Sequence, residues 1–217
     1  MTVAPAVLAA LPLAGRLVNG DARSCQRALC RRICEQDGEY LVIVKANQPG
    51  LLWAIATLFA EPPPEEGFAT AVSWGQHGDR VETRRLGASG ALAGYLGRSG
   101  VRRVLRAERV CARRGRTGRD GRDAIARLGP EVGPEALLAR VRGHRAIENR
   151  LHWVRDVSLG EDASQIRGAA APQAMAARRN AVIAPLRGTG WDTIAAALRH
   201  HAWQPRAALA VLGLAPP

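Results

Sequence analysis

The sequence predicts an α/β fold, and three observations predict it. Residues 16–60 alternate short β-branched apolar runs with helical patterns, residues 68–87 alternate apolar and polar side chains about a glycine-bearing turn, and residues from Pro134 onward repeat apolar side chains at helical spacing. A strand–helix–strand–helix order argues for a sheet covered on both faces. The chain has 217 residues, 47% of them hydrophobic, enough to bury a core. Aromatics make up only 4%, so that core rests on Ala, Leu, Val and Ile.

Taken in order, "RLVNG" (16–20) is a short strand that ends at Asp21. "DARSCQRALCRRICEQDG" reads as a helix with Asp21 at its N-cap, Leu29 and Ile33 on one face and Gly38 as its stop. "YLVIVKANQPG" is an apolar strand closed by a Pro-Gly turn, and "LLWAIATLFA" is a second helix closed by "EPPPEEG". "FATAVSWGQHGDRVETRRLG" predicts a hairpin turning between Gly75 and Gly78. Arginines crowd residues 102–127, among Gly115, Gly118 and Gly121. From Pro134 one long helix is expected, with Leu137, Leu138, Val141, Ile147, Leu151 and Val154 along one side. After Gly160 come Ala-rich helices, interrupted by "APQAM", Pro185 and "RGTG". These boundaries divide the chain into segments 1–60, 61–131 and 132–217.

The charge balance is 31 bases against 19 acids, a formal +12 and a pI near 11.2. Such an excess attracts polyanions, nucleic acid first. Lys45 is the only lysine, and the Arg, Ala, Gly and Pro bias fits a GC-rich genome as well. No run of 18 or more apolar residues exists, and the N-terminal twenty lack a basic leader region, which points to a cytoplasmic protein with no membrane partner. Cys25, Cys30, Cys34 and Cys111 then read as reduced thiols. Neither CxxC nor HExxH is present, so zinc is not expected.

Chemistry concentrates in "RGHRAIENRLHWVRDVSLGED" (142–162), where His144, Glu148, His152 and Arg155 fall at i, i+4, i+8 and i+11, one polar stripe of a helix. Two readings stand. Glu148 is one oxygen ligand of a hard divalent cation with bases holding phosphates, or the stripe is a solvated face of i,i+4 pairs. Asp21, at the carboxyl end of the first strand, is the best placed second acid; helix capping would explain it equally.

Four blocks of this chain, "GRLVNGDARSCQRALCRRI", "GEYLVIVKANQPGLL", "HGDRVETRRL" and "RGHRAIENRLHWVRDVSLGEDASQIR", resemble in order and spacing the insertion-sequence DDE transposases of the H-repeat-associated type. So does the tail "APQAMAARRNAVIAPLR". The resemblance implies a ribonuclease H-like fold with a β-rich insertion before the last catalytic helix. It also implies DNA transposition, with acids holding Mg²⁺ (or Mn²⁺) for in-line attack on a phosphodiester. By position Asp21 matches the second aspartate, Glu148 the glutamate, and Lys45 and Asn47 the lysine–asparagine block. Lys45, Asn47, Arg80, Arg84, His144, His152 and Arg155 would meet DNA.

Departures from the pattern set further expectations. Residues 1–20 contain no Asp or Glu to match the first aspartate, so a truncated, catalytically incomplete member with its first strands missing is expected. Such a chain would depend on full-length transposase or an upstream-encoded fragment, or else act as a non-catalytic DNA-binding inhibitor or be an unstable remnant. Gly121, Arg122 and Asp123 read as poor material for a central strand, and Pro185 as a helix breaker. Arg145 replaces a tryptophan frequent in the family.

Overall fold

A computed structural model describes residues 4–63, 67–147 and 151–214. They form two compact units, Met1–His144 and Arg145–Pro217.

The first unit is built on a mixed six-stranded sheet in the order β1-β2-β6-β5-β4-β3. After a short helix α1 (Ala4–Ala9) come β1 (Leu17–Gly20), α2 (Arg27–Glu35), β2 (Glu39–Val44) and α3 (Pro49–Ala60). β1 and β2 pair in parallel, which requires the crossover that α2 supplies. Then β3 (Ala69–His77), β4 (Arg80–Ser89), β5 (Arg103–Arg113) and β6 (Arg116–Ala126) form an antiparallel ladder, and β6 joins β2 antiparallel. Helix α4 (Pro134–Ile147) completes the unit.

Strand side chains alternate between two cores. Tyr40, Val42, Val44, Val104 and Ile125 pack with Leu29, Ile33, Ile55 and Leu58 of α2 and α3. Leu41, Ile43, Leu105, Ala124 and Ala126 pack with Leu137, Leu138 and Val141 of α4. The near-continuous apolar β2 therefore serves both faces, as a buried strand should. Phe59 of α3 lies so close to β4 that a Cβ at position 87 would sit 2.8 Å from its ring, which leaves glycine as the residue that fits.

Four local expectations change. Asp21 caps a turn, not a helix: its Oδ1 accepts from Ser24 N and Oγ, both at 3.0 Å, and α2 starts only at Arg27. The β3–β4 hairpin turns at Gly78 and Asp79, with Gly75 inside β3; the glycine at 78 takes φ +60. The 121–123 run does form a central strand, because Asp123 faces Arg106 across the β5–β6 ladder and is held by two bonds of 2.8 and 2.9 Å. The Arg106 guanidinium also lies 5.0 Å over the Phe59 ring, so the buried carboxylate has a fixed partner.

The fourth change concerns the long helix. Residues 134–147 and 151–158 are helical, with a π-helical turn at Val154–Ser158, residues 148–150 lie outside the described residues, and Leu151 is exposed. Leu137, Leu138 and Val141 belong to the sheet core, whereas Val154 belongs to the second unit's core with Ile183, Leu186, Ile194 and Ala197. The apolar stripe thus serves two cores.

In that second unit α5 (Ala171–Gly188), α6 (Ile194–Trp203) and α7 (Pro205–Val211) follow the π-helical turn. Pro185 does not break α5. It sits in the last turn, where Thr189 N and Oγ1 donate to the Pro185 carbonyl at 3.0 and 3.3 Å and close the helix end. Among the described residues no helix is long and apolar enough to cross a membrane.

Candidate functional site

The parallel strands β1 and β2 end on the same side, and their following residues gather there. Gly20 is level with Val42, so Asp21 emerges beside the last turn of β2 and Lys45 follows that strand's end. A Cβ on residue 20 would meet Ser24 Cβ at 2.6 Å, so glycine lets the chain fold back sharply enough to place the Asp21 turn. Asp21 is exposed. Oδ1 is engaged by Ser24, and Oδ2 makes no hydrogen bond among the described residues. A carboxylate oxygen of this kind suits a hard cation such as Mg²⁺, which takes one or two carboxylates plus waters or substrate oxygens. Among the described residues no group of three His, Cys, Asp or Glu converges on a metal position.

Asn47 is exposed, but its amide nitrogen is committed within the chain. Its Nδ2 donates to the Ala22 carbonyl at 2.9 Å, and Gln48 Nε2 donates to the Cys25 carbonyl at 3.0 Å. Arg98 in turn donates to Gln48 Oε1 at 2.5 Å. The "NQ" pair after β2 therefore ties down the chain at two points just after Asp21. Lys45 is exposed beside it. Gln48 and Arg98 went unread in the sequence; the adjacency of two amides after a strand end was the available signal for the first, and nothing local marks the second.

Arg80 and Arg84 lie on one face of β4 with Glu82 between them. Glu82 is buried, and Arg80, Arg84 and Arg109 all pair with it. Three cations on one carboxylate leave net positive charge, though each guanidinium is partly committed. The i,i+2 alternation Arg80–Glu82–Arg84 was the sequence signal for this face.

In the second unit Arg155 is braced by Glu161 through bonds of 2.7 and 2.5 Å, with Arg179 4.0 Å from the same carboxylate. Arg155 first, then Arg179 and His152, hold the Glu161 carboxyl below its ordinary value. His152 is exposed. Glu148 lies outside the described residues, as does the side chain of His144.

An exposed aspartate at the carboxyl end of a parallel strand pair, tied down by amides and followed by an arginine-rich antiparallel ladder, defines the class: a mixed α/β protein with an acidic loop at its strand ends. Known proteins narrow this. The chain is 27% identical to YncI of Escherichia coli, named as a transposase, over 184 residues, 77% of this chain and 44% of that one. It is likewise 27% identical over 176 residues to YhhI of Escherichia coli, named as an H repeat-associated transposase, covering 77% of this chain and 46% of the relative. A third relative, the H repeat-associated YbfD of the same species, is 34% identical over 88 residues, 39% of this chain and 34% of YbfD. No family model matches. The chain spans less than half the length of these curated relatives. The resemblance to H-repeat-associated insertion-sequence transposases read from the sequence is borne out.

Proposed function

We propose that this chain is part of an insertion-sequence transposase of the DDE type. It supplies Asp21 and Glu148 as two of three carboxylates that hold Mg²⁺ (or Mn²⁺) for cleavage and transfer of DNA ends. The observation that carries the reading is the Asp21 turn: an exposed carboxylate at the strand ends of a mixed sheet, the chain just after it tied by Asn47 and Gln48. A ligand that must meet a cation at fixed geometry benefits from such anchoring. Parallel β1–β2 within an otherwise antiparallel sheet is compatible with a ribonuclease H-like core, segment 61–131 serving as the β-rich insertion and segment 132–217 bringing Glu148. DNA is the partner, met through arginines of the ladder, with Lys45 adding charge beside Asp21 and His152 a further contact.

When bound, the metal would lower the charge of the attacked phosphodiester and ready the attacking oxygen. Asp21 would hold it, Asn47 would keep the Asp21 turn in place, and the third carboxylate would come from polypeptide beyond this sequence. The chain alone therefore binds DNA and does not cut it. A second reading, DNA binding as an end in itself, rests on the +12 charge and on the cations left over around Glu82.

The deciding experiment mixes purified chain with duplexes carrying the element's own ends. Retardation that weakens steeply between low and physiological salt is expected, with no Mg²⁺-dependent nicking until a segment bearing a further carboxylate is added. Asp21→Asn should abolish the restored nicking and leave retardation intact. Robust nicking by the chain alone overturns the incompleteness, and salt-insensitive or absent retardation overturns the DNA partner. Restored nicking that survives Asp21→Asn removes that residue from the site.

A further inference from the structure

Strand β3 is the longer of the sheet's two edges, nine residues against four in β1, and no described residue pairs with its outer side. Its composition is out of keeping with its neighbours. β4 and β6 carry three arginines each and β5 carries four, whereas "ATAVSWGQH" contains no Asp, Glu, Lys or Arg. Natural sheet edges are usually guarded by charge, proline or a bulge, because an open strand templates further pairing. β3 has none of these guards. It instead shows water two large apolar side chains, Val72 at 64% and Trp74 at 78% exposure.

The pleat fixes which groups face outward. His77 pairs with Arg80 across the two-residue turn, which makes that pair hydrogen-bonded and alternates the pattern up the strand. Thr70, Val72, Trp74 and Gln76 then direct their N–H and C=O groups away from β4. These four residues also place their side chains on one face, while Ala69, Ala71, Ser73, Gly75 and His77 occupy the other.

We infer that β3 is a self-pairing surface, joining a second copy of this chain antiparallel about a two-fold axis at Ser73. Ser73 is the middle residue of Ala69–His77, so this register pairs the whole strand. Val72 then lies opposite the second copy's Trp74, and Thr70 opposite Gln76, each exchanging main-chain bonds. Val72 and Trp74 of both copies meet on one face, and on the other only Ala, Ser and Gly meet in the middle, with His77 opposite Ala69 at each end. An isologous contact must be complementary to itself, and this one is.

Charge favours the same partner. A basic chain repels its own copy wherever arginines face each other, and β3, unlike β4, β5 and β6 beside it, lacks them. Across the joint the two β4 strands stand three strand spacings apart, about 14 Å. That exceeds the roughly 8 Å Debye length at physiological salt, so repulsion between their arginines is screened. A nine-residue edge with two large apolar side chains buries on the order of 1,000 Å² in total, at the low end of specific interfaces. The dimer is therefore weak, and salt strengthens it, opposite to any contact with nucleic acid.

Sedimentation of the full chain across the micromolar range is expected to show a species of twice 23.2 kDa whose share rises with concentration and with salt. Val72→Pro removes only an outward N–H, so it should spare the hairpin and weaken association at least about tenfold. Ser73→Cys should give an oxidised covalent dimer that the wild-type cysteines do not, since facing residues in a non-hydrogen-bonded pair stand about 4.5 Å apart at Cα. Thr70→Cys faces Gln76 and should stay monomeric under oxidation. Circular dichroism melts of each variant separate lost pairing from lost folding. A monomer at all concentrations, a dimer untouched by Val72→Pro in a folded variant, or equal cross-linking from positions 70 and 73 overturns the inference.

Discussion

The pair Arg106–Asp123 decides whether the polar stretch of β6 belongs to a stable sheet. Asp123 is 9% exposed and Arg106 meets both of its oxygens, at 2.8 and 2.9 Å. Removing one partner of a fully buried pair costs about 3–5 kcal/mol, because the other charge stays behind uncompensated. Here the Arg106 side chain is 28% exposed, so water can reach the site and the expected cost is nearer 2–3 kcal/mol. Arg106→Met should lose that amount, including about 0.5–1 kcal/mol from the lost stacking on Phe59. Asp123→Leu alone should cost about as much, since it strands the guanidinium. The double variant removes both charges and should return to within about 1 kcal/mol of wild type, giving a coupling energy of at least about 3 kcal/mol. At 2–4 °C per kcal/mol for a unit of this size, each single variant should melt about 4–12 °C lower. Urea unfolding followed by circular dichroism measures all four members of the cycle. A coupling energy below about 0.5 kcal/mol refutes the pairing as the reason this strand forms, and the absence of any cooperative transition in wild type refutes a stable first unit.

Two further outcomes follow from the site. Asn47→Ala removes the bond to the Ala22 carbonyl and should cost only about 0.5–1.5 kcal/mol of stability, while reducing restored nicking more than tenfold and leaving DNA retention unchanged; equal losses in retention and nicking would make Asn47 a DNA contact instead. Glu161 has a folded value held below 4.5, first by Arg155, so its contribution is complete above 4.5 and disappears as pH falls through the lowered folded value. Glu161→Gln should therefore lower the second unit's stability at neutral pH and flatten its acid-side loss below 4.5, read from melts of the full chain between pH 3 and 7; an unchanged acid limb contradicts the pairing.

Much of the scaffold was legible because period and turn chemistry agree in it. The apolar run of β2, the hairpin around Gly78 and the proline-led start of α4 each state their element locally. Asp21 was legible as a strand-end acid, but not its turn, since a capping aspartate and a turn aspartate have the same short-range sequence. β6 was misread for a different reason. Gly121, Arg122 and Asp123 look unsuited to a strand until the partner Arg106, seventeen residues away, is placed opposite. A long-range ion pair overrides a weak local preference. The π-helical turn at Val154–Ser158 was invisible too, because apolar side chains at helical spacing do not say which core they serve.

The lengths of β4, β5 and β6 have a consequence for how this protein can change. Each strand is ten or eleven residues long, and each runs from a half packed between helices to a half that leaves them behind. The inner half is fixed in register by Leu86, Leu105 and Ala124. The outer half is fixed only by pairing, so it can lengthen or shorten through its tips at Gly78 and Gly115. Growth must come in facing pairs, two residues per strand. A single residue inserted in β5 would send the outer arginines to the opposite face and bring Val110 toward Glu82. The reach of this ladder is thus free to drift between related chains while its two faces stay distinct.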